Sequence, residues 1–437
     1  MHVRTPSRAR FASTLARPRA RFDSSLARLT ARFDASAWGR GLVCIALVVA
    51  SGSCAAPSQK SCELTPPERV VLNKGLGFDG IAVTPVVVAD AAATTLPVGS
   101  RAALYLWSDE TGLWAQPSDK KGAPTRLAER CRGGIAATTF GADTFVGCSR
   151  TLSSADDADS DVALYQLVAD DARRLQARLL ATVGRVGRDG HGVAIAAADK
   201  AVYLAFHDGS VGAHTISLAT VQDGGAKTTA LSRSGHVASE PATLAHQGHV
   251  YVAFAELELK PDGQPGSSVW LSRDGARAVL IAEPHVYSPT PKLTADAQGL
   301  VLSYRDKARR NERDLVRPGT RSELYVTRLD PSGRRAGKVH AVGRANTDGE
   351  PSVFGCGALT TALLPREYGG ERFVGINALD SALSSVGAGH QLYATGREFV
   401  LASGACIDGS WLLFAADRAP PGEPGSEAVS LRFTCKN

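Results

Sequence analysis

Three groups of side chains in this sequence have types and spacings that could carry chemistry. His236, His246 and His249 lie close together, and three imidazoles can hold zinc. His246 ends one strand and His249 starts the next across a tight Gln-Gly turn, with no carboxylate at close spacing to either, so a surface hairpin is the expectation. Asp156, Asp157, Asp159 and Asp161 form an acidic cluster. Asp157, Asp159 and Asp161 have the alternate spacing of calcium loops and are the calcium candidates. An EF-hand loop would also need Gly and Glu where Val162 and Val168 stand, so a solvated loop is expected, with no bound metal and no cofactor. Lys307 to Arg321 (KARRNERDLVRPGTR) carries six basic and two acidic residues; such a loop could meet an acidic partner or a glycan. Gly-x-Ser-x-Gly, Walker A and His-Glu-x-x-His patterns are absent, and no catalytic residue is assigned.

The cysteines and charges are explained by the N-terminal segment. Residues 1–53 hold nine arginines, no lysine and two acids, Asp23 and Asp34. That surplus of seven against a chain total of +6 leaves −1 for the rest, too little field to attract nucleic acid. Gly41 to Ala50 (GLVCIALVVA) is an apolar run half the length needed to span a bilayer, and it fits a secretory h-region. Ala-Arg-Phe recurs upstream, ending at Phe11, Phe22 and Phe33, and is read as an overlong positive n-region or a start site placed too far upstream, the alternative being a basic amphipathic membrane helix. Ser51-Gly52-Ser53-Cys54 resembles the lipobox of bacterial lipoproteins, although Ser51 stands where an aliphatic residue is usual. The resemblance implies cleavage before Cys54, lipidation of Cys54 and a location in the cell envelope, at the outer membrane or periplasmic face. The alternative is plain secretion. Residues 1–53 are thus a signal segment, 54–66 a lipidated cysteine and tether, and 67–437 the folded domain.

With Cys44 removed and Cys54 lipidated, six cysteines remain: Cys62, Cys131, Cys148, Cys356, Cys406 and Cys435. An oxidising compartment predicts three disulfides, in any of fifteen pairings. Pairs Cys62–Cys435, Cys131–Cys148 and Cys356–Cys406 would suit a ring that closes where the chain ends meet.

The elements that must position these residues are short strands. Two apolar runs around a small turn, then a third run closed by an Asp/Gly turn, recur along the chain. The clearest copy runs from Glu240 through Phe254 to Asp274-Gly275. Aromatics end the second run at Phe206, Phe254, Tyr304 and Phe414. The first two gaps are close to fifty residues, a blade-sized period. The reading is an all-β domain, a β-propeller of about seven, alternatively six, four-stranded blades. One such sheet cannot bury both faces alone, whereas a closed ring of them can.

Two turns add a resemblance. Ser272-Arg273-Asp274-Gly275 and Gln222-Asp223-Gly224-Gly225 resemble degraded Asp-boxes, the structural turns of sialidase-like propellers. Val279 replaces the aromatic of that box. Catalytic sialidases carry an Arg-Ile-Pro segment, which this sequence lacks. The expected function is therefore an exported binding or scaffold propeller presenting loops to a protein or glycan. The alternatives are a propeller-type glycosidase or lyase, and a structural envelope component.

Overall fold

The computed structural model describes residues 63–64, 68–75, 80–87, 101–118, 124–151, 160–169, 175–186, 192–209, 214–259, 265–284, 288–307, 322–345, 351–357, 359–368, 371–386, 390–394, 398–418 and 426–436. Cys54, Cys62, Asp156, Asp157, Asp159 and residues 308–321 lie outside this set. Among the described residues there are thirty strands and no helix.

Seven four-stranded antiparallel sheets form the ring. Blade 1 is β3 (Gly80–Val87), β4 (Arg101–Asp109), β5 (Gly112–Pro117) and β6 (Thr125–Ala128). Blade 2 is β7 (Cys131–Phe140), β8 (Asp143–Thr151), β9 (Ser160–Ala169) and β10 (Leu175–Val186). In blade 3 the order is β11 (Val193–Ala198), β12 (Ala201–Asp208), β13 (Thr215–Gln222) and β14 (Gly225–Ala230). Blade 4 comprises β15 (Val237–His246), β16 (His249–Leu259), β17 (Pro265–Arg273) and β18 (Val279–Ala282). Then come blade 5, with β19 (Lys292–Asp296), β20 (Gly299–Lys307), β21 (Ser322–Leu329) and β22 (His340–Ala345), and blade 6, with β23 (Ser352–Cys356), β24 (Leu359–Tyr368), β25 (Glu371–Leu379) and β26 (His390–Ala394).

Blade 7 joins the two ends of the chain. Its inner strands are β27 (Glu398–Ile407), β28 (Ser410–Arg418) and β29 (Ser426–Phe433), and its outermost strand is β2 (Glu68–Gly75) from the N-terminal side. A further two-stranded sheet pairs β1 (Glu63–Leu64) with β30 (Cys435–Lys436). Ring closure is thus made by backbone hydrogen bonds between residues far apart in sequence. Residues 63–64 of the sequence-assigned tether belong to this closure.

Each strand's polarity follows its distance from the axis. The innermost β11 reads VAIAAA and is buried throughout, whereas the outermost β14 reads GAKTTA and is exposed throughout. Inner strands crowd together, so their residues must be small. A Cβ on Gly355 would stand 1.9 Å from the Ala295 carbonyl oxygen, and one on Gly404 would meet the Phe354 ring at 2.4 Å. Either contact lies far inside van der Waals range.

Alternate residues along each strand point to the two neighbouring blades, and the core is accordingly divided into seven inter-blade clusters. Phe206 packs with Val162 and Leu164 between blades 2 and 3, and Phe254 with Ala205 and Ile216 between blades 3 and 4. Tyr304 packs with Tyr251 and Leu271 between blades 4 and 5. Phe414 departs from this pattern: it packs with Tyr105 and Trp107 at the junction of blades 7 and 1. The other three clusters fill the remaining junctions.

Two disulfides are present among the described residues. Cys131 and Cys148 join β7 to β8 within blade 2, and Cys356 and Cys406 join β23 to β27 across blades 6 and 7. Cys435 sits on β30, whose partner β1 begins one residue after Cys62.

Candidate functional site at the upper mouth of blades 3 and 4

In an antiparallel meander, connections alternate between two faces. The 1→2 and 3→4 turns of each blade lie on one face, called lower here. The 2→3 connections and the blade-to-blade connections lie on the other, called upper. This places His246 and His249, which end β15 and begin β16, on the lower face, and His236, which precedes β15, on the upper. The ten-residue β15 separates them by roughly 30 Å, so the three histidines do not form one site.

His236 has other company. Between Glu256 and Ser267, the described residues 256–259 and 265–267 are all strand. Glu256 and Glu258 alternate along β16, so both point to one side of blade 4. Glu256 is fully buried. One ligand atom each from His236, Glu256 and Glu258 lie within 4.8 Å of one another.

Arg233 organises this cluster. The connection from β14 to β15 turns at Gly235 (φ 81°), where the His236 N–H donates to the Arg233 carbonyl. The turn aims the Arg233 backbone N–H at Glu256 Oε1 (2.8 Å) and its Nε at Oε2 (2.6 Å). Nη2 reaches Glu258. The guanidinium lies 4.5 Å from the centre of the Trp270 ring, a cation–π contact. Burial works to lower the Arg233 pKa, but hydrogen bonds to Glu258 and Glu256 outweigh it and raise the value.

A second cluster adjoins along β15. A bulge there holds Glu240 at φ 56°. Its N–H donates to His207 Nε2 at 3.0 Å, and His207 stacks on His214 with centroids 5.3 Å apart. The Glu240 carboxylate accepts from Ser288 Oγ and, at 2.7 Å, from the Thr290 N–H. Thr290 is itself at φ 46°, a costly conformation for a β-branched residue. Two strained residues therefore hold each other at the upper mouth, and strain of this kind collects at functional sites.

Of the calcium candidates, Asp161 is described, and both its oxygens accept from Arg150 Nε and Nη2, at 2.9 and 2.7 Å. That bond holds the Arg150 guanidinium above its ordinary pKa. The inner strands carry a further described carboxylate, Asp296, at the lower end of β19. It is bound by Arg328, Thr360 and the Gln298 N–H.

The Asp/Gly turns divide by role. Asp274 accepts the Val250 N–H at 2.9 Å and pairs with His249, tying its turn to the neighbouring hairpin. Capping of a turn's own amides is performed by Asp330, which accepts from the Arg334 N–H, and by Asp380, which accepts from the Ala382 and Ser384 N–H groups. Arginines preceding these turns bind the next blade: Arg273 donates to the Pro331 carbonyl and Arg328 to the Ser381 carbonyl. The lower face is thereby a repeating structural brace, which leaves the upper mouth as the candidate site. Its members Arg233, Glu240, Glu256 and Glu258 carry no local motif. The signal available in sequence was the pair of glutamates two apart inside an apolar strand.

No family model matches this sequence, and no curated protein matches it. Solved structures of similar overall shape include the GH93 α-L-arabinofuranosidase of Fusarium graminearum, at 12% identity and a TM-score of 0.46, covering 84% of this chain and 98% of that one. Polysaccharide lyase Uly1 matches at 11% identity and 0.47, covering 86% and 100%. A neuraminidase-like protein of A/little yellow-shouldered bat/Guatemala matches at 7% identity and 0.44, covering 85% and 100%.

Proposed function

We propose that this chain is a cell-envelope lipoprotein, anchored through Cys54, whose propeller binds and processes a glycan at the upper mouth of blades 3 and 4. The observation that carries the glycan reading is the convergence there of a carboxylate pair, an imidazole and an arginine lying on an indole. Carboxylates and guanidinium groups hydrogen-bond sugar hydroxyls strongly, and a few convergent polar groups are what orients a small ligand in its site. Oxygens of Glu256 and Glu258 lie within 4.8 Å of each other. That is closer to the about 5 Å spacing of retaining glycosidases than to the wider spacing of inverting ones. Glu258, with its side chain 37% exposed, is the member a substrate can reach; Glu256 is sealed beneath it.

A second reading is a glycan-binding module without turnover. It is favoured by Arg233, which hydrogen-bonds both carboxylates. One panel of neutral and uronic-acid polysaccharides separates the two. Release of reducing ends or of unsaturated ends marks processing, and retention without release marks binding alone. For processing, Glu258→Gln should cost roughly 10²–10⁴-fold in rate with no change in melting temperature. A variant as active as wild type, or a protein that neither retains nor cleaves any glycan, defeats the reading.

The anchor is tested separately. Cys54→Ser should abolish incorporation of labelled fatty acid and release the protein to the soluble fraction. Labelling that survives the substitution would refute lipidation at this residue.

A further inference from the structure

We propose that His236, Glu256 and Glu258 form a binding site for a single transition-metal dication of the zinc class. The inference rests on the upper mouth being the functional site, although it does not require glycan turnover. Their ligand atoms already lie within 4.8 Å of one another, a span that one ion with bonds of about 2 Å can bridge. The donor set chooses the ion. One imidazole with two carboxylates suits zinc, cobalt or manganese, whereas calcium and magnesium prefer an all-oxygen shell. Three protein ligands would leave a fourth position open to water or to a sugar hydroxyl, the arrangement of catalytic rather than structural zinc.

The supports of such a site are in place. Glu256 is held at both oxygens by the Arg233 backbone N–H and Nε, the kind of outer hydrogen bonding that orients a metal-ligating carboxylate. A second oxygen lone pair on each side remains for an ion. Arg233 also touches Glu258 through Nη2, at a rim where its side chain is 41% exposed. Arg233 thus supplies the positive charge that two adjacent carboxylates need, and an arriving dication has to displace only this outer contact. Metal and the Nη2 group compete for Glu258, while the grip on Glu256 persists.

The test is a titration of the metal-stripped full-length protein with zinc chloride by calorimetry, with cobalt absorption as a check on coordination. The expected result is one equivalent bound, a cobalt band of four- or five-coordinate intensity, and affinity lowered at least about tenfold by His236→Ala and by Glu258→Gln. Circular dichroism confirms that both variants are folded. Failure to bind zinc, or binding that both folded variants retain at full strength, overturns the proposal. A protein that binds zinc but neither binds nor cleaves a glycan would sink the glycan reading and leave the metal site standing. Glycan cleavage by a protein that binds no zinc would do the opposite.

Discussion

Replacing Asp296 by alanine is expected to destabilise the propeller by about 3–5 kcal/mol, the cost of breaking a buried ion pair from one side. The Asp296 side chain is completely buried, and its two oxygens accept from Arg328 Nη1 and Nη2, both at 2.9 Å. Thr360 Oγ1 and the Gln298 N–H complete the set. Thr360 belongs to blade 6 and Arg328 to blade 5, so one carboxylate ties two blades to the inner ring. Alanine would leave the Arg328 guanidinium without its charge partner. The double variant Asp296→Ala/Arg328→Met should recover part of the loss, because removing both charges costs less than orphaning one. Thermal unfolding of the three proteins checks this; equal stability of Asp296→Ala and wild type would contradict it. The same contact has a pH signature. Burial works to raise the Asp296 pKa, but the bonds from Arg328, Gln298 and Thr360 prevail and hold it below its ordinary 3.8. A depressed carboxylate pKa stabilises the fold above the unfolded value. This contribution is therefore complete at neutral pH and is lost as pH falls below about 3.8 through the folded value. In Asp296→Ala, that part of the acid dependence should vanish.

The second large effect is expected at Cys356–Cys406. This bond closes a loop with a sequence separation of 50, and the chain-entropy argument gives such a crosslink about 4 kcal/mol. The paired variant Cys356→Ala/Cys406→Ala should unfold at correspondingly lower denaturant concentration. The bond staples the innermost strand of blade 6 to that of blade 7, the blade in which the two chain ends meet. Its loss should therefore favour opening of the ring at that seam, read as faster amide exchange in β2 and β27 to β29. Cys406 is exposed, while Cys131 and Cys148 are both 0% exposed. Mild reductant should cut Cys356–Cys406 first and leave Cys131–Cys148 intact, as mass mapping of alkylated cysteines would reveal. Simultaneous reduction of both would argue against the difference in access.

Much of this architecture was legible in the residues. Short apolar runs at blade-sized spacing imply a stack of small sheets, and the aromatics Phe206, Phe254 and Tyr304 of β12, β16 and β20 fill successive junctions, although each strand runs on past its aromatic. What the pattern hid was the fourth strand of blades 1 and 3. β14 is exposed at every position and β6 is half exposed, so neither has an apolar period to detect. The N-terminal β2 was hidden for another reason: nothing local marks Glu68–Gly75 as the outer strand of a blade built from residues 398–433. Phe414 also showed the limit of counting aromatics, since its side chain serves the following junction rather than the preceding one.

The candidate site was less legible than the fold. Histidines 236, 246 and 249 are close in sequence and yet divided between two faces, because β15 runs the full depth of the blade. His236 instead meets carboxylates twenty residues later, and Arg233 reaches them through a turn set by Gly235. Strand class, blade period and the near-neutral charge of the domain follow from the sequence alone, because they depend on local alternation and composition. The closure by β2, the gathering of Arg233, His236, Glu256 and Glu258, and the tying of Asp296 to Arg328 and Thr360 arise only in the tertiary structure. Each depends on which distant backbone segments lie side by side, and that is decided by the packing of seven blades around one axis.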